Sequence, residues 1–211
     1  MKKILLCLSL LWLAHSLSAQ EMKLNKIAAF GAMNFSSFIF NEPQQALKNQ
    51  LNYKSGSSMG LNFEFELNKH VLRPELLYRR VGSYSNADNA DKNWTLNYID
   101  LNFGYMYKVL DGEKFDIAPG LAYGLGYMTQ GQQSIGQSRF DITNDGFFKR
   151  FDLTGSLMLN FSFQIAQNLS LFSEYRFGMS ILNIEKDANQ STRNIFHSIG
   201  LGLAMNLSND K

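Results

Sequence analysis

The sequence predicts an all-β fold, an eight-stranded antiparallel up-and-down transmembrane β-barrel. Three observations carry that expectation. Apolar residues recur with period two through eight segments, and only a strand puts alternate residues on opposite faces. Most of these segments reach the ~9–11 residues that a tilted strand needs to cross a bilayer. Their connections alternate between short turns and long polar stretches, which is the layout of an outer-membrane barrel.

Taken in order, the chain first offers a leader. Lys2 and Lys3 precede an apolar run from Ile4 to Ala14, and small residues lead to Ala19-Gln20. This is the form of a secretory signal peptide, so residues 1–19 are expected to be cleaved and 20–211 to form the barrel domain. The run is too short for a membrane anchor, which needs ~20 residues, and Cys7 lies too early to be a lipoprotein cysteine.

Eight strands follow. The first, near residues 26–36, is the least clear, because IAAFGAMNF is apolar on both faces. In residues 57–67, Met59, Leu61, Phe63 and Phe65 oppose Gly60, Asn62, Glu64 and Glu66. Residues 71–81 set Leu72, Pro74, Leu76 and Tyr78 against Arg73, Glu75 and Arg79. Residues 95–109 set Ile99, Leu101, Phe103, Tyr105 and Tyr107 against Tyr98, Asp100, Asn102 and Gly104. FDIAPGLAYGLGYM, residues 115–128, has a large apolar face and a face of Ala and Gly. A helix would mix those faces, and each interior glycine would weaken it by about 1 kcal/mol. Residues 151–165, 169–181 and 194–207 repeat the alternation, with Asp152, Glu174 and Arg176 on their polar faces.

The connections at 37–56, 82–93, 129–147 and 183–193 are long and polar, whereas those at 68–70, Asp111-Gly112 and 166–168 are short. An even number of strands then puts both termini with the short turns, in the periplasm. A soluble ligand-binding barrel such as a lipocalin is the alternative with eight strands. The almost unbroken apolar faces, with Tyr105, Tyr107 and Trp94 near their ends, favour a membrane belt with aromatic girdles.

The polar faces then define a lumen. A turn at Asn68-Lys69 pairs residues whose numbers sum to 137, so Glu64 meets Arg73 and Asn62 meets Glu75. A slip of two residues would set Glu64 against Glu75, a like-charge pair that cross-strand energetics disfavours. Lys108 is expected opposite Asp116, and Arg79, Asp100, Asp152, Glu174 and Arg176 are expected to point inward. Eight strands enclose only enough space for side chains, so this charge is expected to be a structural plug, not an ion pathway.

Three stretches within this frame, LRPELLYRRVGS, NYIDLNFGYMYKV and IAPGLAYGLGY, resemble the QPELLYSxKG, YLEIPLLxKY and GPYxGYLL stretches of the PorT-like family of small outer-membrane β-barrel proteins. The resemblance covers most of residues 25–207. It departs at Asn102, often proline in the family, at Arg73, often glutamine, and at the closing MNLSNDK, which lacks an aromatic end. The resemblance implies a Gram-negative outer membrane and, for PorT itself, a part in type IX secretion. It carries over no catalytic or binding residue.

Other chemistry is thinly represented. The 20 Lys+Arg and 18 Asp+Glu residues nearly balance, and the leader holds two of the cations and the only cysteine. That balance does not favour nucleic acid, and without Cys7 there is no disulfide or thiol chemistry. His70 sits in a short turn, while His197 lies on the lipid face with Ser173 too far along the ladder to pair with it. DITNDGFFKRFD, residues 141–152, resembles a calcium loop but carries Lys149 at a ligand position. NADNADKN, residues 86–93, reads as a solvated loop. The expectation is a monomer without enzymatic activity, cofactor or metal, in contact with outer-membrane lipid and lipopolysaccharide. Partners would be met by the long loops, or by secretion components if the resemblance extends to role.

Overall fold

The computed structural model describes residues 23–41, 51–86, 91–144, 147–186 and 191–207. The expected leader at 1–19, the loop centres at 42–50, 87–90, 145–146 and 187–190, and the C-terminal tail lie outside the described residues. Ten strands are present among those described: β1 (Lys23–Asn41), β2 (Leu51–Leu67), β3 (His70–Ser85), β4 (Lys92–Tyr107), β5 (Leu110–Asp111), β6 (Phe115–Ile135), β7 (Ser138–Asp141), β8 (Phe151–Ala166), β9 (Leu169–Ser180) and β10 (Ser191–Asn206). Eight of these are long. Each pairs antiparallel with its neighbour in the order β1-β2-β3-β4-β6-β8-β9-β10, and β10 returns to pair with β1. The closed ring leaves no long edge for another chain to extend. β5 and β7 are short additions to β6.

The apolar set faces outward. Leu101, Phe103, Tyr105, Leu121, Tyr123, Leu125, Leu157 and Leu201 are exposed, while Arg73, Glu75, Asp100 and Asp152 are buried to 1%. A soluble ligand-binding barrel would do the reverse. The register also explains how the wall tolerates proline. Pro119 pairs with Leu159 on β8, but on its other side the β4 ladder ends at Met106↔Gly120 and β5 begins at Leu110↔Ile117. The missing N–H of Pro119 therefore interrupts no rung. Pro74 lies where the β2–β3 ladder passes from Asn62↔Glu75 to Phe65↔Leu72.

Four expectations change. The wall is taller than alternation implied: β1 runs to Asn41, β2 starts at Leu51, β3 reaches Ser85, β4 starts at Lys92 and β6 extends to Ile135. Most of the described part of the predicted long loops is therefore strand. Above a lipid belt the outer face no longer needs to be apolar, and the inner face here is partly apolar. The two faces cease to differ, so the alternation stops although the hydrogen-bonded ladder continues. Second, Trp94 is not in a girdle. It shares the parity of Tyr98 and Asp100 and packs inside the mouth against Phe38, ring centroids 6.2 Å apart. Third, the Asp111-Gly112 turn is wider than expected, with Asp111 rather than Lys108 opposite Asp116 and Gly112 N–H donating to the Phe115 carbonyl at 3.1 Å. Fourth, the interior is not uniformly polar. Val71, Met106, Ala118, Ala122 and Met158 form one inner apolar cluster, and Phe38, Val81, Leu96, Tyr98, Met128 and Phe196 belong to another.

The turn between β2 and β3 is as tight as the sequence suggested, with Leu67↔His70 closing it and Asn68 at φ +53°. Asparagine tolerates that left-handed conformation better than most residues. The described ends meet at this side of the ring: Asn206 N–H donates to Asn168 and Leu207 N–H to Asn25.

Candidate functional site

The densest chemistry lies on the axis of the ring. β3 carries Arg73-Pro74-Glu75 and β9 carries Glu174-Tyr175-Arg176, so each points one cation and one carboxylate inward. Four steps separate β3 from β9 in either direction around the ring, which places them across a diameter. Antiparallel pairing over four steps makes the two strands run the same way. Their inverted charge order then becomes complementary. Arg73 donates to Glu174, and Arg176 reaches Glu75 at 2.8 Å. Arg73 also lies 2.9 Å from Glu75, Arg176 lies 2.7 Å from Glu174, and Asn102 donates to Glu75 at 3.2 Å. The result is a four-residue crossbar through the lumen.

Toward the short-turn end the network continues. Glu64 lies 3.8 Å from Arg73 and 3.6 Å from Lys26, which in turn lies 3.0 Å from Glu66. Lys108 donates to Glu66 at 2.8 Å and stands 3.9 Å from Asp116. Sequence reasoning did not place Lys26 or Glu66 in this network. A register shift between Leu24 and Lys26 sets Lys26 opposite Glu64 and Lys23 opposite Glu66. That bulge falls in the strand whose two faces are hardest to tell apart. The parity of Glu66 with Glu64 was the available signal for its inward position.

Toward the other end, Arg79 forms a separate group. It meets Asp100 at 2.6 and 3.2 Å and Asp152 at 3.1 Å, and Asn194 also donates to Asp152. Its guanidinium stands 4.8 Å from the Tyr98 ring and 5.2 Å from the Phe196 ring, within cation–π range. The ten residues named for the lumen lie in two groups, with buried Leu77 at an intermediate position on β3. Buried ions of this kind are tolerated when each has a close opposite charge.

Small inward residues make room for this arrangement. A methyl group at Gly126 would come within 2.1 Å of the Asp100 carboxylate, and one at Gly178 within 2.3 Å of the Phe196 ring. Among the described residues, little space remains beside these charges. Two lumen cavities, one beside Lys26 and Lys108 and one beside Glu174 and Arg176, have volumes of about 20 Å³ each, room for roughly one water.

The other candidates fall elsewhere. His70 begins β3, with Nδ1 2.8 Å from the Tyr105 hydroxyl. His197 is on the outer face beside Tyr53 and Phe177, with Nδ1 2.7 Å from the Tyr175 hydroxyl. It pairs in register with Phe177, while Ser173 pairs with Leu201, so no Ser–His couple forms. Asp141 accepts the Thr143 N–H at 2.8 Å, and these hydrogen bonds hold its carboxyl below the usual aspartate range. Among the described residues no three His, Asp or Glu side chains are placed to hold a metal ion.

No protein-family model matches the chain, and no curated protein does. Solved structures do. The outer membrane protein OprG from Pseudomonas aeruginosa superposes with a TM-score of 0.52 at 10% identity, over 89% of this chain and 97% of that one. The fold is that of a transmembrane β-barrel. Neisserial surface protein A gives a TM-score of 0.47 at 14% identity, covering 85% of this chain and 96% of its own. Ail, the attachment invasion locus protein of Yersinia pestis, gives 0.45 at 10% identity, covering 88% and 100%. At such identities the barrel is shared and the chemistry is this chain's own.

Proposed function

We propose that this barrel is an integral outer-membrane protein, closed along its axis by ion pairs, that acts as a surface protein through the end of the wall away from both termini. The observation that carries the reading is the placement of charge, with complementary ions inside and an apolar belt outside. Each lumen charge within an ion pair is stabilised only while its partner stays in place, so the network favours a fixed plug over a gated pore. The small lumen cavities support the same view, because a hydrated ion needs more than single-water spaces. On this reading the short turns and both termini face the periplasm, the leader has directed export, and the outer surface meets lipid and lipopolysaccharide.

The test is purification from outer membranes in mild detergent. Unboiled protein should migrate faster than boiled protein on a denaturing gel, and it should give no conductance steps in a planar bilayer. Absence from the outer-membrane fraction would overturn the membrane assignment, and steady unit conductance would overturn the plug. The sequence stretches that resemble the PorT-like family favour one second reading, an accessory of type IX secretion. Stoichiometric recovery with secretion components would establish that role, and recovery as a lone monomer would exclude a stable complex.

A further inference from the structure

At the mouth opposite the termini the barrel interior changes character. A cavity of about 320 Å³ lies there, lined chiefly by Phe38, Leu51, Trp94, Ile142, Phe147 and Phe148. We propose that it is a binding pocket for a small uncharged molecule bearing an aromatic ring. The inference needs only the fold and not the assignment to a particular membrane.

The size comes first. Ligand pockets typically begin near 300 Å³, and the two cavities deeper in the lumen are far smaller, about 20 Å³ each. The walls come next. Phe38 already meets Trp94 edge-on and lies 5.8 Å from Phe148, and aromatic rings gain most from further tilted or edge-to-face neighbours. Charge argues for a neutral ligand. Lys92 and Glu185 border the cavity, one cation and one carboxylate, which leave its lining with no net charge to draw an ionic group. Gln133 is the remaining polar group of the lining and offers a donor and an acceptor.

The pocket is also pre-shaped and blind. The described residues after β7, 142–144 and 147–149, are held at the mouth by hydrogen bonds. Ile142 N–H donates to the Gly131 carbonyl at 2.9 Å, and Gly131 N–H donates to the Thr143 hydroxyl at 2.8 Å. Lys149 N–H donates to the Ile184 carbonyl at 2.6 Å, and Lys186 N–H to the Phe147 carbonyl at 3.0 Å. Ile142, Phe147 and Phe148, from the stretch that resembles a calcium loop, are therefore used as walls. Beneath the pocket, Phe196 and Tyr98 close over Arg79, so a bound molecule has no way onward. The geometry is that of a receptor site and not of a conduit.

Trp94 supplies the readout, since the only other tryptophan is Trp12 in the leader. The full protein in lipid nanodiscs is titrated with 4-bromobenzyl alcohol, whose bromine quenches indole fluorescence on contact, and Trp94→Phe protein supplies the background. Saturable quenching is expected, at least tenfold tighter than by 4-bromobenzoate or 4-bromobenzylammonium. Phe147→Ala, which trims an exposed lip of the pocket, should weaken it at least fivefold, and Leu51→Phe, which narrows the space, should weaken it as well. Retained fast migration of unboiled protein establishes that each variant is folded. Quenching that stays linear, that is unchanged in both variants, or that is equally strong with the charged probes would overturn the proposal.

Discussion

Removing Arg73 tests the crossbar directly. Its guanidinium touches Glu174, lies 2.9 Å from Glu75 and 3.8 Å from Glu64, and its side chain has no exposed surface. Arg73→Ala would leave Glu75 and Glu174 to share Arg176 alone. Deleting one partner of a buried ion pair costs about 3–5 kcal/mol, chiefly because the other charge is stranded. For a chain of this length 1 kcal/mol moves the unfolding temperature by about 2–4 °C, so a drop of roughly 6–20 °C is expected by the same relation. The assay is the temperature at which half of the compact, fast-migrating form is lost during a fixed heating time. Glu174→Ala should cost less, because Arg73 keeps Glu75. The double variant should fall short of the sum by about 1–3 kcal/mol, as coupled sites do. A loss below about 1 kcal/mol for Arg73→Ala, or strict additivity in the double variant, would refute the crossbar as a structural element.

Three further outcomes follow from other parts of the barrel. Leu121→Arg, in the middle of the outward row of β6, should weaken folding in lipid vesicles by about 2–4 kcal/mol, read from a urea titration; a soluble barrel would scarcely respond. Gly126→Leu should cost at least about 1–3 kcal/mol by overpacking, because its first carbon would already overlap Asp100, whereas Gly31→Ala meets nothing within 4 Å and should leave the thermal transition unmoved. Asn68→Val should lose about 1–2 kcal/mol for holding a β-branched residue in left-handed backbone, while Asn68→Gly should match the parent protein in the same urea titration.

The barrel was legible in the sequence because its wall separates two environments, and each strand between them must alternate. The register of β2 against β3 could be read from the Asn68-Lys69 turn and checked by charge, since Glu64 and Arg73 attract while Glu64 and Glu75 repel. Where the two environments become alike, the signal disappears. The upper wall from Ser37 to Asn41 and from Leu51 to Gly56 carries no alternation, yet it pairs as strand. Lys26 escaped because a bulge shifts its register inside a strand apolar on both sides. Trp94 was misplaced by residue type, although its even number, shared with Tyr98 and Asp100, already put it inside. The mouth cavity had no sequence signature. Its walls include residues held at the mouth after β7, and nothing local in Ile142 or Phe148 announces that.

The inverted tripeptides on β3 and β9 have a consequence for assembly. Their partners are 101 residues apart in sequence, so they meet only when both halves of the sheet have curled toward closure. Consider one half sliding by two residues against the other, the smallest slip that keeps every side chain on its proper face. In one direction Arg73 comes level with Arg176; in the other Glu75 comes level with Glu174. Either slip sets like charges together at the centre of a space with almost no water to screen them. The same four side chains that fill the finished lumen thus penalise a ring closed with the wrong stagger. They act as a checksum on its circumference.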